Sequence, residues 1–276
     1  MAYQEYPADR EGAFAVQAAS FSALSLAEQV ILVAGGGGGG IGEYSAKLLA
    51  ARGAAIVAVD RDGDEADRVS EEIRQSGGQA IGVRADVGQE AEVAAAVDSA
   101  VAAFGYLSGA FNNVGGTFGI TGPLTDLAVE DWDRVHTVNL RAIFLLLKHE
   151  IPRIAGHGGG AIVNTCSIQG TVATPGVGAY VAAKHGVLGL TKAVAVESAA
   201  LAVRVNAVLP GTIETPARKR VFENAPDVAD RMASGQLLGR CGSTQEVAEL
   251  VAFLMSDAAG FCTGAGYLVD GGYTAV

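Results

Sequence analysis

The stretch Val30-Ile-Leu-Val-Ala34-Gly35-Gly-Gly-Gly-Gly-Gly40-Ile41-Gly42 decides the fold. Its first five residues are apolar on both faces, the mark of a strand in a parallel sheet covered by helices above and below. Six glycines then open onto Ile41 to Ala51, which reads as an amphipathic helix, so a strand turns directly into a helix. Glycine tolerates positive φ and has no Cβ. A pyrophosphate can therefore approach the backbone N–H groups at the positive end of that helix. Gly36, Gly40, Ile41 and Gly42 are the candidate contacts. By itself the run also reads as a flexible loop.

The next apolar run, Ala55-Ile-Val-Ala-Val59, ends at Asp60, whose carboxylate is placed to accept hydrogen bonds from the adenosine ribose hydroxyls. A 2′-phosphate there would meet a like charge within about 4 Å, costing from roughly 1 kcal/mol in water to several in a shielded cleft. Asp60 thus favours NAD over NADP. Arg61 offers the opposing reading, since it could bind the extra phosphate.

Apolar runs continue to alternate with amphipathic stretches, the βαβ signature. Further strands are expected at Ala80 to Val83, Leu107 to Phe111, Ala161 to Asn164, Val203 to Val208 and Tyr267 to Val269. Helices are expected at Asp64 to Gln75, Glu90 to Ala103, Val129 to Ile154, Gly178 to Ala200 and Thr244 to Met255, the last capped near Thr244 with Glu246 in its first turn. No repeat or linker divides the chain, so one domain is expected from residue 26 to 276. Residues 1–25 read as an arm, and Pro210 to Leu238, without strand period, as a mobile cover over a site.

With 276 residues and 50% hydrophobic content, the chain can build a large core. A net charge of −11 with scattered basic residues disfavours nucleic acid and anionic membranes as partners. No segment reaches the roughly 18 apolar residues of a membrane span. The first ten residues lack the pattern of a secretion signal. Cys166, Cys241 and Cys262 suggest neither a disulfide framework nor a zinc site, which fits reduced thiols in a cytoplasm. The histidines, His136, His149, His157 and His185, show no metal-ligand spacing.

Tyr180-Val-Ala-Ala-Lys184 lies in the long helical pattern after the Ala161 strand, so phenol and ammonium share one face. Ser167 follows that strand at its carboxyl end, where open α/β sheets bind ligands. A hydride leaving a carbinol carbon requires loss of the hydroxyl proton, and a phenolate can take it. An ordinary tyrosine titrates near 10, so a nearby lysine ammonium and a positive nicotinamide ring are expected to lower it. Ser167 can hold the substrate oxygen. Phe118, Ile120 and Gln169 are candidate pocket walls, and Arg218-Lys219-Arg220 is either a solvated run or a greeting for an acidic substrate.

From about Leu26 to Tyr273 the sequence resembles the short-chain dehydrogenase/reductase family. The resemblance implies an α/β fold: a single Rossmann-type, doubly wound domain whose seven-stranded parallel sheet carries helices on both faces. It implies Tyr180 as acid/base, Lys184 on the nicotinamide ribose, and Ser167, at the family's spacing, positioning substrate. Asn139 in Val138-Asn-Leu140 resembles the family's helix-borne asparagine, which holds a relay water behind Lys184. Asp86-Val87 is similar to the pair at the adenine, and Asn112-Asn113-Val114-Gly115 to the stretch beside the nucleotide. Pro210-Gly211-Thr-Ile213-Glu-Thr215 resembles the segment at the nicotinamide end, and Asp270-Gly-Gly272 the carboxyl-terminal signature. The family's members are usually tetramers or dimers, so a homo-oligomer is implied.

Three departures carry expectations of their own. Gly35 replaces the family's usual threonine, which predicts a looser turn, weaker in cofactor binding by about one hydrogen bond, ~1 kcal/mol. Val114 replaces alanine and is expected to crowd the nucleotide side slightly. Cys166 stands where a second serine is common, without a histidine to make it a nucleophile. The implied activity is an NAD-dependent interconversion of a small-molecule secondary alcohol, a cyclic diol or dihydrodiol being one candidate, with its ketone. An NADPH-dependent carbonyl reductase and a non-catalytic nucleotide-binding scaffold are the alternatives.

Overall fold

The computed structural model describes residues 24–276. The expected amino-terminal arm falls almost wholly outside the described residues.

Strand β1 (Val30–Ala34) is wholly buried, as its unbroken apolar run requires. It is followed by α1 (Ile41–Ala51), β2 (Ala55–Asp60), α2 (Gly63–Gln75), β3 (Gln79–Arg84), α3 (Glu90–Phe104) and β4 (Gly109–Asn112). The second half continues with α4 (Val129–His136), α5 (Ala142–Gly156), β5 (Gly160–Thr165), α6 (Gly178–Ser198) and β6 (Val203–Pro210). Then come β7 (Ile213–Glu214), α7 (Pro216–Asn224), α8 (Pro226–Ser234), β8 (Gly242–Ser243), α9 (Thr244–Met255) and β9 (Gly266–Val269). Seven strands form one parallel sheet in the order β3-β2-β1-β4-β5-β6-β9. The order reverses between β1 and β4, and a ligand crevice opens at such a switch point.

Alternate residues of each strand feed two separate apolar layers. On one face Leu32, Val57 and Val205 pack with Val97, Leu146 and Val187 of α3, α5 and α6. On the other, Ile31, Val33 and Val208 pack with Leu49, Val69 and Val251 of α1, α2 and α9. The doubly wound fold is the expected one, and its strand and helix positions fall within about two residues of the sequence reading.

Three local features differ from that reading. The helix expected over Val129 to Ile154 is interrupted by a π-turn at Thr137–Arg141, because the Asn139 side chain donates to the Val135 carbonyl at 2.9 Å and loosens the regular ladder there. The cap of α9 is Ser243 rather than Thr244: its side chain accepts from Glu246 N while Glu246 reaches back to Ser243 N, a full capping box. The cover over Pro210 to Leu238 contains α7 and α8, and β7 pairs with β8 beyond it. Each of these helices is only nine residues long, too short to stand out in sequence.

Candidate active site

The glycine turn sits at the carboxyl end of β1 and is tied down by backbone. Gly35 N and Gly36 N both donate to Val59 O, at 2.8 and 3.1 Å, and Asn113 N donates to Ala34 O at 3.0 Å. Gly35 has φ +72°, and a Cβ there would lie 2.1 Å from Asn113 O. A Cβ on Gly42 would lie 1.9 Å from Gly35 O. The turn is therefore closed by approach distances that only glycine permits, and backbone hydrogen bonds rather than a side chain hold it. Val114 does not crowd the nucleotide side: it packs against the apolar layer shared with α3, α5 and α6.

These residues fit a dinucleotide. The N-cap of α1 is Gly40 without a side-chain cap, so the first-turn amides of Ile41 and Gly42 can meet a pyrophosphate, and a Cβ on Gly40 would meet nothing within 4 Å. Asp60 ends β2 beside the turn, with Oδ2 accepting from Gly37 N at 3.1 Å and Oδ1 from Asp62 N at 3.1 Å. Two further carboxylates, unforeseen in the sequence, share the turn: Glu65 accepts from Gly38 N at 3.3 Å and Glu43 from Gly39 N at 2.7 Å. Burial alone would raise the Glu43 carboxyl, but Arg68, Lys47 and the Gly39 N–H hold it down to about 2. Its position in an acidic first turn was the available signal.

Outside the turn, Arg61, Arg84, Asp62, Asp64, Asp67, Asp86 and Glu92 line a cleft of about 790 Å³. Five carboxylates there face two guanidinium groups, so its field is negative. Val87 turns from this cleft into the core. At the other end Pro210 closes β6 in register with Val269, Gly211 N donates to Val269 O at 3.0 Å, and Ile213 is buried under α9 with the apolar layer of that face. Thr215 accepts from Arg218 N at 3.3 Å, and the following Pro216 lies over the turn, 3.1 Å from a Cβ placed on Gly39. Of this segment, Ile213 can serve a cofactor only through its backbone.

The sheet's carboxyl edge brings Asn113, Asn139, Ser167, Tyr180 and Lys184 together. Lys184 is fully buried on α6 and donates to Thr165 O at 2.9 Å and Val114 O at 3.5 Å, leaving one of its three N–H groups uncommitted among the described residues. Thr165 in turn donates from Oγ1 to Asn113 Oδ1 at 3.0 Å, joining β5 to the strand beside the glycine turn. The Asn139 side chain accepts from Gly116 N and donates to Gly116 O, both at 2.9 Å. With its bond to Val135, both side-chain N–H groups are committed to backbone, so the side chain braces the loop after β4.

Tyr180 is the candidate acid/base, and without a bound cofactor its phenol is shifted up rather than down. Burial pushes its phenol up to about 12, against the pull of the Ser167 hydroxyl and the more distant Arg218 guanidinium. Burial also lowers Lys184, to about 8, and the ammonium stands 5.6 Å from the Tyr180 ring centroid. The protein's own groups therefore keep the phenol protonated at neutral pH. Ser167 accepts from Gln169 N at 3.2 Å with its backbone extended. Cys166 donates to Lys184 O at 3.1 Å and its thiol is pushed up by burial, so it is inert.

Tyr180 forms one wall of a cleft of about 330 Å³, near the lower end of the usual range of small-molecule sites, about 300–1,000 Å³. Phe118 and Ile120 line it as expected, with Leu124, Leu127 and Val177. Gln169 does not: its amide donates to Thr174 Oγ1 at 2.7 Å. Asp126 and Asp131 add two carboxylates to the lining, which no local pattern announced because they come from a short 3₁₀ turn and the start of α4. Arg218 is drawn toward the site, whereas Lys219 lies 3.8 Å from Glu214 and Arg220 donates to Pro216 O. Among the described residues no group of three or more His, Cys, Asp or Glu side chains could hold a metal.

A family model described as Enoyl-(Acyl carrier protein) reductase matches residues 36–274. The chain is 45% identical over 235 residues to a cyclohexanol dehydrogenase of Acinetobacter sp. (strain SE19), covering 85% of this chain and 91% of that one. It is 44% identical to a cis-4-hydroxycyclohexanecarboxylate dehydrogenase of Sinomonas cyclohexanicum, over 91% of this chain and 99% of the relative. Among solved structures, a 7α-hydroxysteroid dehydrogenase complexed with NADH and 7-oxo glycochenodeoxycholic acid superposes with a TM-score of 0.86 at 31% identity, covering 91% of this chain and 96% of that one. Sheet order, glycine turn, the Ser167, Tyr180 and Lys184 constellation and these likenesses agree, and the chain belongs to the short-chain dehydrogenase/reductase family of oxidoreductases.

Proposed function

We propose that the chain is an NAD-dependent dehydrogenase interconverting an uncharged cyclic secondary alcohol, a cyclic diol or dihydrodiol included, with its ketone. The observation that carries this reading is the Tyr180 phenol on the wall of a small cleft, beside Ser167 and one turn from the buried Lys184 ammonium. Relatives whose names specify cyclohexanol, cyclopentanol and a cyclohexadiene diol support the ring class.

The amides of Ile41 and Gly42 would hold the pyrophosphate, Asp60 the adenosine ribose, and Lys184 the nicotinamide ribose. Asp86, Val87, Asn113, Pro210, Gly211, Ile213 and Thr215 would frame the remainder, largely through backbone. When bound, NAD supplies a hydride acceptor and a positive ring charge that adds to the Lys184 ammonium. Tyr180 gives its proton to the carbonyl oxygen in reduction and takes it back from the alcohol in oxidation, while Ser167 holds that oxygen. A phenol raised by burial stays protonated, the form that reduction needs. Oxidation needs the added positive charge before the same group can accept.

The acidic turn and the negative cleft around Asp60 support NAD over NADP. In steady-state assays with cyclohexanol, kcat/KM for NAD should exceed that for NADP by at least about fivefold, since the 2′-phosphate meets a like charge costing roughly 1 kcal/mol or more. Equal values would remove Asp60 from this role. Asp126 and Asp131 at the cleft support uncharged substrates. A ring alcohol bearing a carboxylate should be several-fold poorer in kcat/KM than its uncharged analogue at low salt, with the gap narrowing in D131N and at high ionic strength. A gap that neither change narrows would show that the rim charges do not select.

Exposed Phe144 on α5 and Val196 on α6 support a homo-oligomer, a dimer or tetramer, with the long helices at the contact. Three free cysteines support a cytoplasmic location, and among the described residues no helix is long and apolar enough to cross a membrane.

A further inference from the structure

One buried carboxyl takes no part in the chemistry above. Glu150 on α5 has no exposed surface, and neither do Asn112, which ends β4, and Asn164, its registered neighbour on β5. The Asn112 amide donates from Nδ2 to Glu150 Oε2 and to Asn164 Oδ1, each at 3.0 Å. Asn164 passes the chain on, donating from Nδ2 to Thr191 Oγ1 on α6 at 3.0 Å. Four elements are thereby fastened side by side. One of them carries Tyr180 and Lys184, and another carries Thr165, the carbonyl that receives the Lys184 ammonium.

The chain of bonds is unbalanced at one end. Among the described residues, Glu150 Oε1 and Asn112 Oδ1 are both buried without a hydrogen-bond partner, and both belong to the same already bonded pair. Two acceptors left without a donor inside a core are costly, and a single proton between them would satisfy both. Asn112 has no further N–H to give, since both are used.

We propose that Glu150 is held as a neutral carboxylic acid whose Oε1 hydroxyl donates to Asn112 Oδ1 while Oε2 accepts from Asn112 Nδ2, closing a cyclic acid–amide pair that positions the strands beneath Tyr180 and Lys184. The charged groups on the surrounding elements leave the acid alone. On its own helix, Lys148 and His149 reach Glu90, and Arg153 reaches Asp98, both on α3. Strands β4 and β5 carry no ionisable side chain. On β6, Arg204 is taken by the carbonyls of Leu254, Ser256 and Cys262, and on α6 Lys184 is taken by Thr165 and Val114, while His185 lies at Val181 O and Lys192 and Glu197 are exposed. Burial accordingly pushes the carboxyl from its ordinary 4.5 up to about 8, with only the Asn112 hydrogen bond opposing it.

The pair makes the framework sensitive to base. Between 4.5 and about 8 the folded chain holds a proton that the unfolded chain has released, so stability declines as pH rises through that window. Above it the acid ionises in place and the cyclic pair opens. Glutamine reproduces the neutral partner, an N–H on one side and a carbonyl oxygen on the other, without a proton to lose.

The test compares the full chain with Glu150→Gln by infrared difference spectroscopy and by thermal melts. At pH 7 the wild type should show the carbonyl stretch of a protonated carboxylic acid that E150Q lacks, and the band should vanish on titration centred near 8. Between pH 6 and 8 the wild-type Tm should fall roughly 5–10 °C more than that of E150Q. E150Q should keep wild-type kcat at pH 7 and hold it further into the alkaline range. Glu150→Ala, which orphans the Asn112 amide, should be less stable at every pH. Absence of the band at pH 7, parallel Tm curves, or an E150Q that folds normally yet loses turnover at pH 7 would each show that the carboxylate is ionised and overturn the proposal.

Discussion

Tyr180→Phe should lower kcat/KM for ring-alcohol oxidation by about 10²–10⁴-fold, the usual worth of a positioned acid/base, while leaving NADH bound. The ring of Tyr180 fills one wall of the cleft, and phenylalanine keeps that wall, so the loss would report the hydroxyl alone. Kd for NADH, read by nicotinamide fluorescence, should change less than about fivefold, the worth of one hydrogen bond. A variant that retains turnover within tenfold would place the acid/base elsewhere. A wild type that binds NADH yet turns over none of a panel of alcohols and ketones would instead favour a scaffold that kept the fold and lost the chemistry. Ser167→Ala should behave less severely, because Tyr180 still supplies its proton when the second donor to the substrate oxygen is gone.

Gly35→Thr is the second large effect, and here sequence and structure predict opposite signs. By family pattern the substitution restores a side-chain hydrogen bond and should tighten the turn. In the structure Gly35 is left-handed at φ +72°, where a β-branched residue is strained by roughly 1–2 kcal/mol, and its Cβ would fall 2.1 Å from Asn113 O. Backbone must then move. Asn113 is bonded to Thr165, and Thr165 holds Lys184, so the displacement travels to the ammonium beside Tyr180. We expect G35T to lower Tm by roughly 5–10 °C and to weaken NADH binding at least tenfold. Tighter binding would show that the turn can relax into the threonine form.

The parallel sheet and the constellation of Ser167, Tyr180 and Lys184 were legible in the sequence because each rests on a short-range regularity. Short apolar runs that alternate with amphipathic stretches read as strands covered on both faces, glycines between such a strand and a helix fit a close approach, and residues one helical turn apart share a face. These are properties of a few neighbouring residues and need no knowledge of distant ones. Asp60 belongs with them, since a strand end places it beside the turn.

Tertiary structure alone decided what depends on residues far apart in the chain. The spacing of Tyr180 and Lys184 suggested a lowered phenol, but enclosure by α4, α6 and the loop after β4 raises it, because desolvation scales with everything packed around the ring. Gly35 looked like a lost hydrogen bond until Asn113, just past the end of β4, proved to occupy the space a side chain would need. Asn139 reads by motif as a water-holding asparagine, and only the packing shows that its side chain braces Gly116 and Val135. Glu150 gave no signal at all beside Lys148 and His149 on α5. Its meaning comes from Asn112, Asn164 and Thr191, which only the sheet's register and the packing of two helices bring within hydrogen-bonding distance.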